Sequence, residues 1–112
     1  MNSELVSVEH TGAEIPVGTR RLAKLPPYVK SLTTPDGGAV VAQFSGSKFD
    51  ALVVVNRSPV KEMQLNIALD PSVVRILEDG SRALAAAYGG SYSVSPGAAE
   101  IFVMQRPDRN SK

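Results

Sequence analysis

The stretch Phe49-Asp50-Ala51-Leu52-Val53-Val54-Val55-Asn56-Arg57-Ser58 contains the most hydrophobic run of the chain and ends abruptly in polar residues. A run this short, β-branched and bounded by turn formers reads as a strand buried on both faces. Val53, Val54 and Val55 are stiff about χ1 and suit a pleated surface better than a helix. Asn56 and Ser58 can bond back to the local backbone, and Pro59 has no N–H to give to a ladder. The strand therefore ends at Val55 or Asn56, and it is taken as the central strand around which the others are laid.

Working upstream, residues 39–44 form a strand that follows the Asp36-Gly37-Gly38 turn, and Ser45-Gly46-Ser47-Lys48 connects it tightly to the central one. Residues 5–10 make a short first strand. Downstream, residues 61–69 alternate with period two: Met63, Leu65, Ile67 and Leu69 share one face, and Glu62, Gln64, Asn66 and Ala68 the other. Asp70-Pro71-Ser72 turns the chain. Residues 73–78 then meet Asp79-Gly80, a two-residue hairpin signal, and 82–87 return. Residues 83–87 lean towards helix by propensity, but five residues after a hairpin turn are too few to form one. Tyr88-Gly89-Gly90 breaks the pattern, 91–95 form a short strand, Pro96-Gly97 turns, and 98–104 make the last strand. About eight short strands at this spacing describe an all-β antiparallel sandwich, Greek-key or jelly-roll-like, as a single domain over residues 1–104. Residues 105–112 are expected to be a disordered C-terminal tail.

Residues 12–36 are of a different character. Pro16, Gly18, Pro26, Pro27 and Pro35 punctuate them, so they are expected to wrap across the sandwich as an extended segment with an edge strand at 28–32, or to lie against a partner domain. Ile15, Val17, Leu22, Leu25 and Val29 are interleaved with basic residues and follow neither period, which leaves the segment no clean face to bury on its own sheets. Arg20, Arg21, Lys24 and Lys30 read as a solvated face.

Composition narrows the function classes. The chain has 112 residues, 12 basic and 11 acidic, for a net charge of +1, which gives no electrostatic reason for a nucleic-acid or membrane partner. No apolar run approaches the roughly 20 residues of a membrane helix, and no signal peptide is visible, so localisation stays open. There is no Cys, which excludes disulfides and thiolate metal sites. With one His, no metal, cofactor or catalytic constellation assembles. The carboxylates read as turn or exposed strand positions, and Glu78 and Asp79 as turn chemistry at a hairpin tip. His10 reads as a strand-end histidine packed in the domain, or as a contact to substrate or to a partner domain. Tyr28 and Tyr88 are candidates for carbohydrate or interdomain contact; Tyr92, which alternates with Val94, reads as core.

Motif order adds a resemblance. Val-Glu-His-Thr-Gly at 8–12 and Ile-Pro-Val-Gly-Thr at 15–19 precede the strand ending in Asn56-Arg57-Ser58. The 73–80 hairpin and the Ser95-Pro96-Gly97 turn with its last strand follow. Together these resemble the C-terminal β-sandwich of bacterial glycoside hydrolases, the domain that follows a catalytic (β/α)8 barrel in β-galactosidase-like and α-amylase-like enzymes. The resemblance covers about residues 4–104. It implies a non-catalytic accessory domain whose partner is the barrel of a parent chain, where the catalytic carboxylates would lie. Two alternatives stand beside it: a carbohydrate-binding module and a free-standing protein–protein interaction domain.

Overall fold

The computed structural model describes residues 3–12, 15–22, 25–26, 28–35, 37–70, 72–77, 79–84 and 91–105. They hold nine strands: β1 (Ser3–His10), β2 (Val29–Thr33), β3 (Ala39–Gly46), β4 (Phe49–Asn56), β5 (Met63–Leu69), β6 (Val74–Ile76), β7 (Arg82–Leu84), β8 (Ser91–Val94) and β9 (Ala99–Gln105). All pairings between these strands are antiparallel, and an isolated bridge between His10 and Arg21 is parallel. A six-stranded sheet runs β1-β3-β4-β9-β6-β7 and a three-stranded sheet runs β2-β5-β8. The all-β sandwich expected from the turn spacing is the fold observed.

β4 lies between β3 and β9, as its composition requires. Residues directly opposite across an antiparallel pair share a face, so the registers define rows across the large sheet. One row is Glu9, Val41, Val54, Glu100 and the next is Ser7, Gln43, Leu52, Phe102. A third, Ser45, Asp50, Met104, follows. These rows face the small sheet, because their apolar members are buried together with Val29, Met63, Leu65, Ile67, Tyr92 and Val94. Phe102 and Tyr92 meet across the gap edge to face, with ring centroids 5.5 Å apart.

The opposite face of the large sheet corrects the expectation for β4. Leu52 and Val54 are fully buried, but Val53 and Val55 are only half-buried. Three strands can cover one face of six, and every described strand outside the large sheet lies on the inner side. A strand composed for two covers therefore has one.

Local expectations hold with small adjustments. The 28–32 edge strand is β2, an edge of the small sheet. Gln105, expected in the tail, is the last residue of β9 and pairs with Phe49; residues 106–112 lie outside the described residues. At the β6–β7 turn the pairing runs out to Leu77 and Ser81, whose N–H and carbonyl bond at 2.8 Å. The loop between them is thus three residues long rather than two, with Gly80 at φ +85°, the left-handed residue that closes such a loop. Asp79 accepts bonds from the Ser81 hydroxyl (2.6 Å) and N–H (2.9 Å), which hold its carboxyl below the usual range. Glu78 lies outside the described residues.

The wrapping segment departs most from expectation. Leu22 and Leu25 pack against the core and Val29 is buried within it, while Val17 stands fully exposed. His10 N–H donates to the Arg20 carbonyl and Leu22 N–H to the His10 carbonyl, each at 2.8 Å. The segment therefore borrows the open edge of β1 for its backbone bonds, and the missing periodicity reflects a chain that buries single residues in passing. Of its basic residues, Arg20, Arg21 and Lys30 are exposed, and Lys24 lies outside the described residues.

Candidate functional site

Two polar constellations emerge once the chain is folded. The first joins the motifs that carried the resemblance. His10 ends β1, Arg57 follows β4, and the two meet 47 residues apart in sequence, with Arg57 Nη1 3.1 Å from His10 Nδ1. A guanidinium can only donate, so His10 Nδ1 is the acceptor in this contact. The same Nη1 donates to the Thr11 carbonyl at 3.0 Å and to the Ala39 carbonyl at 3.4 Å. A hydroxyl chain lies beside it. Ala39 N–H donates to Thr11 Oγ1 (3.0 Å), which is 2.8 Å from Thr34 Oγ1, and Thr34 donates to the Gly37 carbonyl (3.1 Å). Arg21 reaches the Gly12 carbonyl. These groups line an open cleft of about 820 Å³. Their bonds go chiefly to backbone carbonyls, so the arrangement ties the β1 end, the 34–39 turn and the β4 end together.

On the other side of the same strand end, Asn56 is 2 % exposed and turns inward. Its Nδ2 donates to the carbonyls of Lys61 (2.7 Å), Val94 (3.1 Å) and Ser95 (3.3 Å), and its Oδ1 accepts from Ser58 N–H (3.0 Å). It staples the exit of β4 to the β8–β9 connection.

The second constellation is a cleft of about 520 Å³ at the other end of the sandwich. Its floor is the polar half of the inward rows: Ser7 and Glu9 on β1, Gln43 and Ser45 on β3, and Asp50 on β4. All five are half-buried. The opposite wall is apolar, from Leu25, Pro26 and the ring of Tyr28. Burial, with the Asp50 carboxylate adding to it, pushes the Tyr28 phenol up to about 12. The phenol therefore stays protonated as a donor at any physiological pH.

That shift has a stability consequence. In the unfolded chain the phenol ionises near 10, against about 12 when folded. The folded state then holds the proton over a window in which the unfolded state has released it. Tyr28's contribution is complete below pH 10 and is lost as pH rises towards 12. Urea midpoints should fall across this window in the natural protein, with a shallower fall in Tyr28→Phe; parallel curves would disprove the assignment.

Of the sequence candidates, His10 lies in the first constellation and Tyr28 in the second. Tyr88 lies outside the described residues. Tyr92 is core, as expected, and carries the Arg75 guanidinium 4.8 Å from its ring centroid. Arg75 in turn holds Glu100 in a two-point ion pair, 2.6 and 3.0 Å. Glu100 is 9 % exposed, and Glu9 and Asp50 point inward. These three carboxylates correct the expectation that every carboxylate occupies a turn or an exposed position. Among the described residues no cluster of three or more His, Cys, Asp or Glu is placed to hold a metal ion.

No protein-family pattern, curated protein or solved structure matches the chain.

Proposed function

We propose that the chain is a non-catalytic accessory β-sandwich that packs on a larger domain of the same polypeptide through the outer face of its six-stranded sheet. The observation that carries this reading is the composition of that face. Val40, Ala42, Val53, Val55, Ile101 and Val103 occupy outward positions on three adjacent strands, and Val74 and Ile76 of β6 extend the row. All are only half-buried. Charge enters at one margin, where Lys48 and Arg82 flank Phe44, Phe49 and Ile101. Soluble chains seldom leave so broad an apolar sheet face to water, and strands apolar on both faces belong where both are covered. The outer face of the small sheet is the opposite, with Gln64, Asn66 and Ser91 bonded to one another.

The partner in this reading is a catalytic (β/α)8 barrel, as the resemblance to glycoside hydrolase C-terminal domains implies, and the chain itself carries no catalysis. The test is sedimentation of the chain mixed with the neighbouring domain of its gene, produced separately. Association is expected, with at least tenfold weakening by Val53→Glu with Ile101→Glu, in protein whose circular dichroism is unchanged. A gene without a second domain, no association, or association indifferent to both substitutions would overturn the reading. A carbohydrate-binding role is the second reading, favoured by the polar cleft under Tyr28.

A further inference from the structure

We infer that the cleft between the β1–β3–β4 end of the large sheet and the side chains of Leu25, Pro26 and Tyr28 binds a neutral, polyhydroxylated ligand the size of one sugar ring. The inward rows of the large sheet break their pattern at this end. In the row Ser7, Gln43, Leu52, Phe102, the last two residues are core and the first two are polar, although all four face inward. The row Ser45, Asp50, Met104 is likewise polar at two of three positions. A sequence that needed only a core would continue the apolar side chains along those inward positions. Departures of this kind mark functional positions in otherwise consistent folds.

The polar floor is not plain surface either. Tyr28 is 6 % exposed, and Leu25 and Pro26 stand beside it over the same floor. The result is a concave site with one apolar wall and several convergent polar groups. Its volume of about 520 Å³ falls within the roughly 300–1,000 Å³ usual for small-molecule sites.

Chemistry selects the ligand class. The hydroxyls of Ser7, Ser45 and Tyr28 and the amide of Gln43 both donate and accept, whereas Glu9 and Asp50 accept only. A ligand that offers several hydroxyls on one side matches that mixture, and the C–H face of a sugar ring matches the Tyr28–Leu25–Pro26 wall. Two carboxylates disfavour an anion. A bare cation would use the carboxylates but leave the apolar wall and most of the volume idle.

This site rests on the carbohydrate-binding reading and not on the docking face, which lies on the other side of the sheet. Its test is a nitrogen–proton correlation titration of the full chain with methyl β-D-galactopyranoside and methyl α-D-glucopyranoside. n-Propylamine and calcium chloride serve as competing probes. Saturable shifts are expected at the amides of Ser7, Gln43, Ser45 and Asp50 with at least one glycoside, at millimolar affinity because a single Tyr gives little stacking area. Gln43→Leu should weaken binding by about tenfold, or 1.4 kcal/mol. If that variant fails to fold, contacts between sugar ring protons and Tyr28 or Leu25 in the natural protein keep the test decisive. Val53→Glu should leave the shifts intact, so failure of the docking reading and of this one are separable. No saturable shift with either glycoside, shifts confined elsewhere, or saturation by calcium or the amine alone would overturn the assignment.

Discussion

Asn56→Asp is expected to destabilise the protein by about 3–5 kcal/mol, the range for a charge left buried without compensation. The substitution changes almost nothing in shape. It replaces a donor, Nδ2, by an oxygen at the point where three carbonyls converge, those of Lys61, Val94 and Ser95. An ionised carboxylate there would face three acceptors with no proton to offer, in a site 2 % exposed. Protonating it restores one hydrogen where the amide shared two among the three carbonyls. The acceptor role towards Ser58 N–H survives in either form. A pH test separates chemistry from packing. The folded variant favours the protonated acid, so its pKa rises above the unfolded value near 4. The stability recovered by holding that proton is complete below about pH 4 and is lost as pH rises. The urea-midpoint gap to the natural protein should therefore narrow in acid. A gap below about 1 kcal/mol at neutral pH would mean that the three carbonyls find water and that Asn56 is no staple.

The staple also shows what local sequence can and cannot reveal. Asn56 reads as a turn residue because it follows a β-branched run, and it does bond to Ser58 two residues on. Its larger task, tying together carbonyls up to 39 residues away, depends on which strands become neighbours, and no local pattern encodes that. The same division runs through the molecule. The period-two alternation of Met63–Leu69 predicts the buried face of β5 residue by residue, because that strand has one wet side and one dry side. In β4 both faces are apolar, so alternation cannot say which face looks inward. Asp50, Leu52, Val54 and Asn56 turn out to share it. Once that phase is known, the polar cleft follows from register, since Ser45 lies opposite Asp50, and Gln43 and Ser7 continue from Leu52. Glu100 offered a local clue: it stands two residues before Phe102, in phase with the core. The wrapping segment misleads for a different reason. Leu22 and Leu25 each bury alone, and a single residue has no period to detect.

Gly38→Ala is expected to cost about 2–4 kcal/mol, through overpacking and the loss of buried hydrogen bonds. The reason is space rather than backbone conformation. A Cβ at Gly38 would overlap Arg57 Nη2 and stand 2.8 Å from Arg57 Cζ and 2.8 Å from the Thr11 carbonyl oxygen. The guanidinium can swing aside, but in doing so it surrenders its bonds to the carbonyls of Thr11 and Ala39 and to His10 Nδ1. The Thr11 carbonyl cannot swing: it is backbone, and Thr11 N–H is fixed to the Ala39 carbonyl at 2.9 Å. Gly80→Ala makes the useful contrast, because nothing lies within 4 Å of that position and its cost comes from φ +85° alone, about 1–2 kcal/mol. A double-mutant cycle assigns the Gly38 effect. In an Arg57→Ala background the clash with the guanidinium and the loss of its bonds have already been removed, so Gly38→Ala should cost less there by at least 1 kcal/mol, with the remainder reporting the Thr11 carbonyl. Equal costs in the two backgrounds would show that Arg57 does not fill the space over Gly38. The His-Thr-Gly and Asn-Arg-Ser motifs would then be joined through residues 38 and 39 by their backbone bonds and the Thr11 hydroxyl, without the guanidinium as their link.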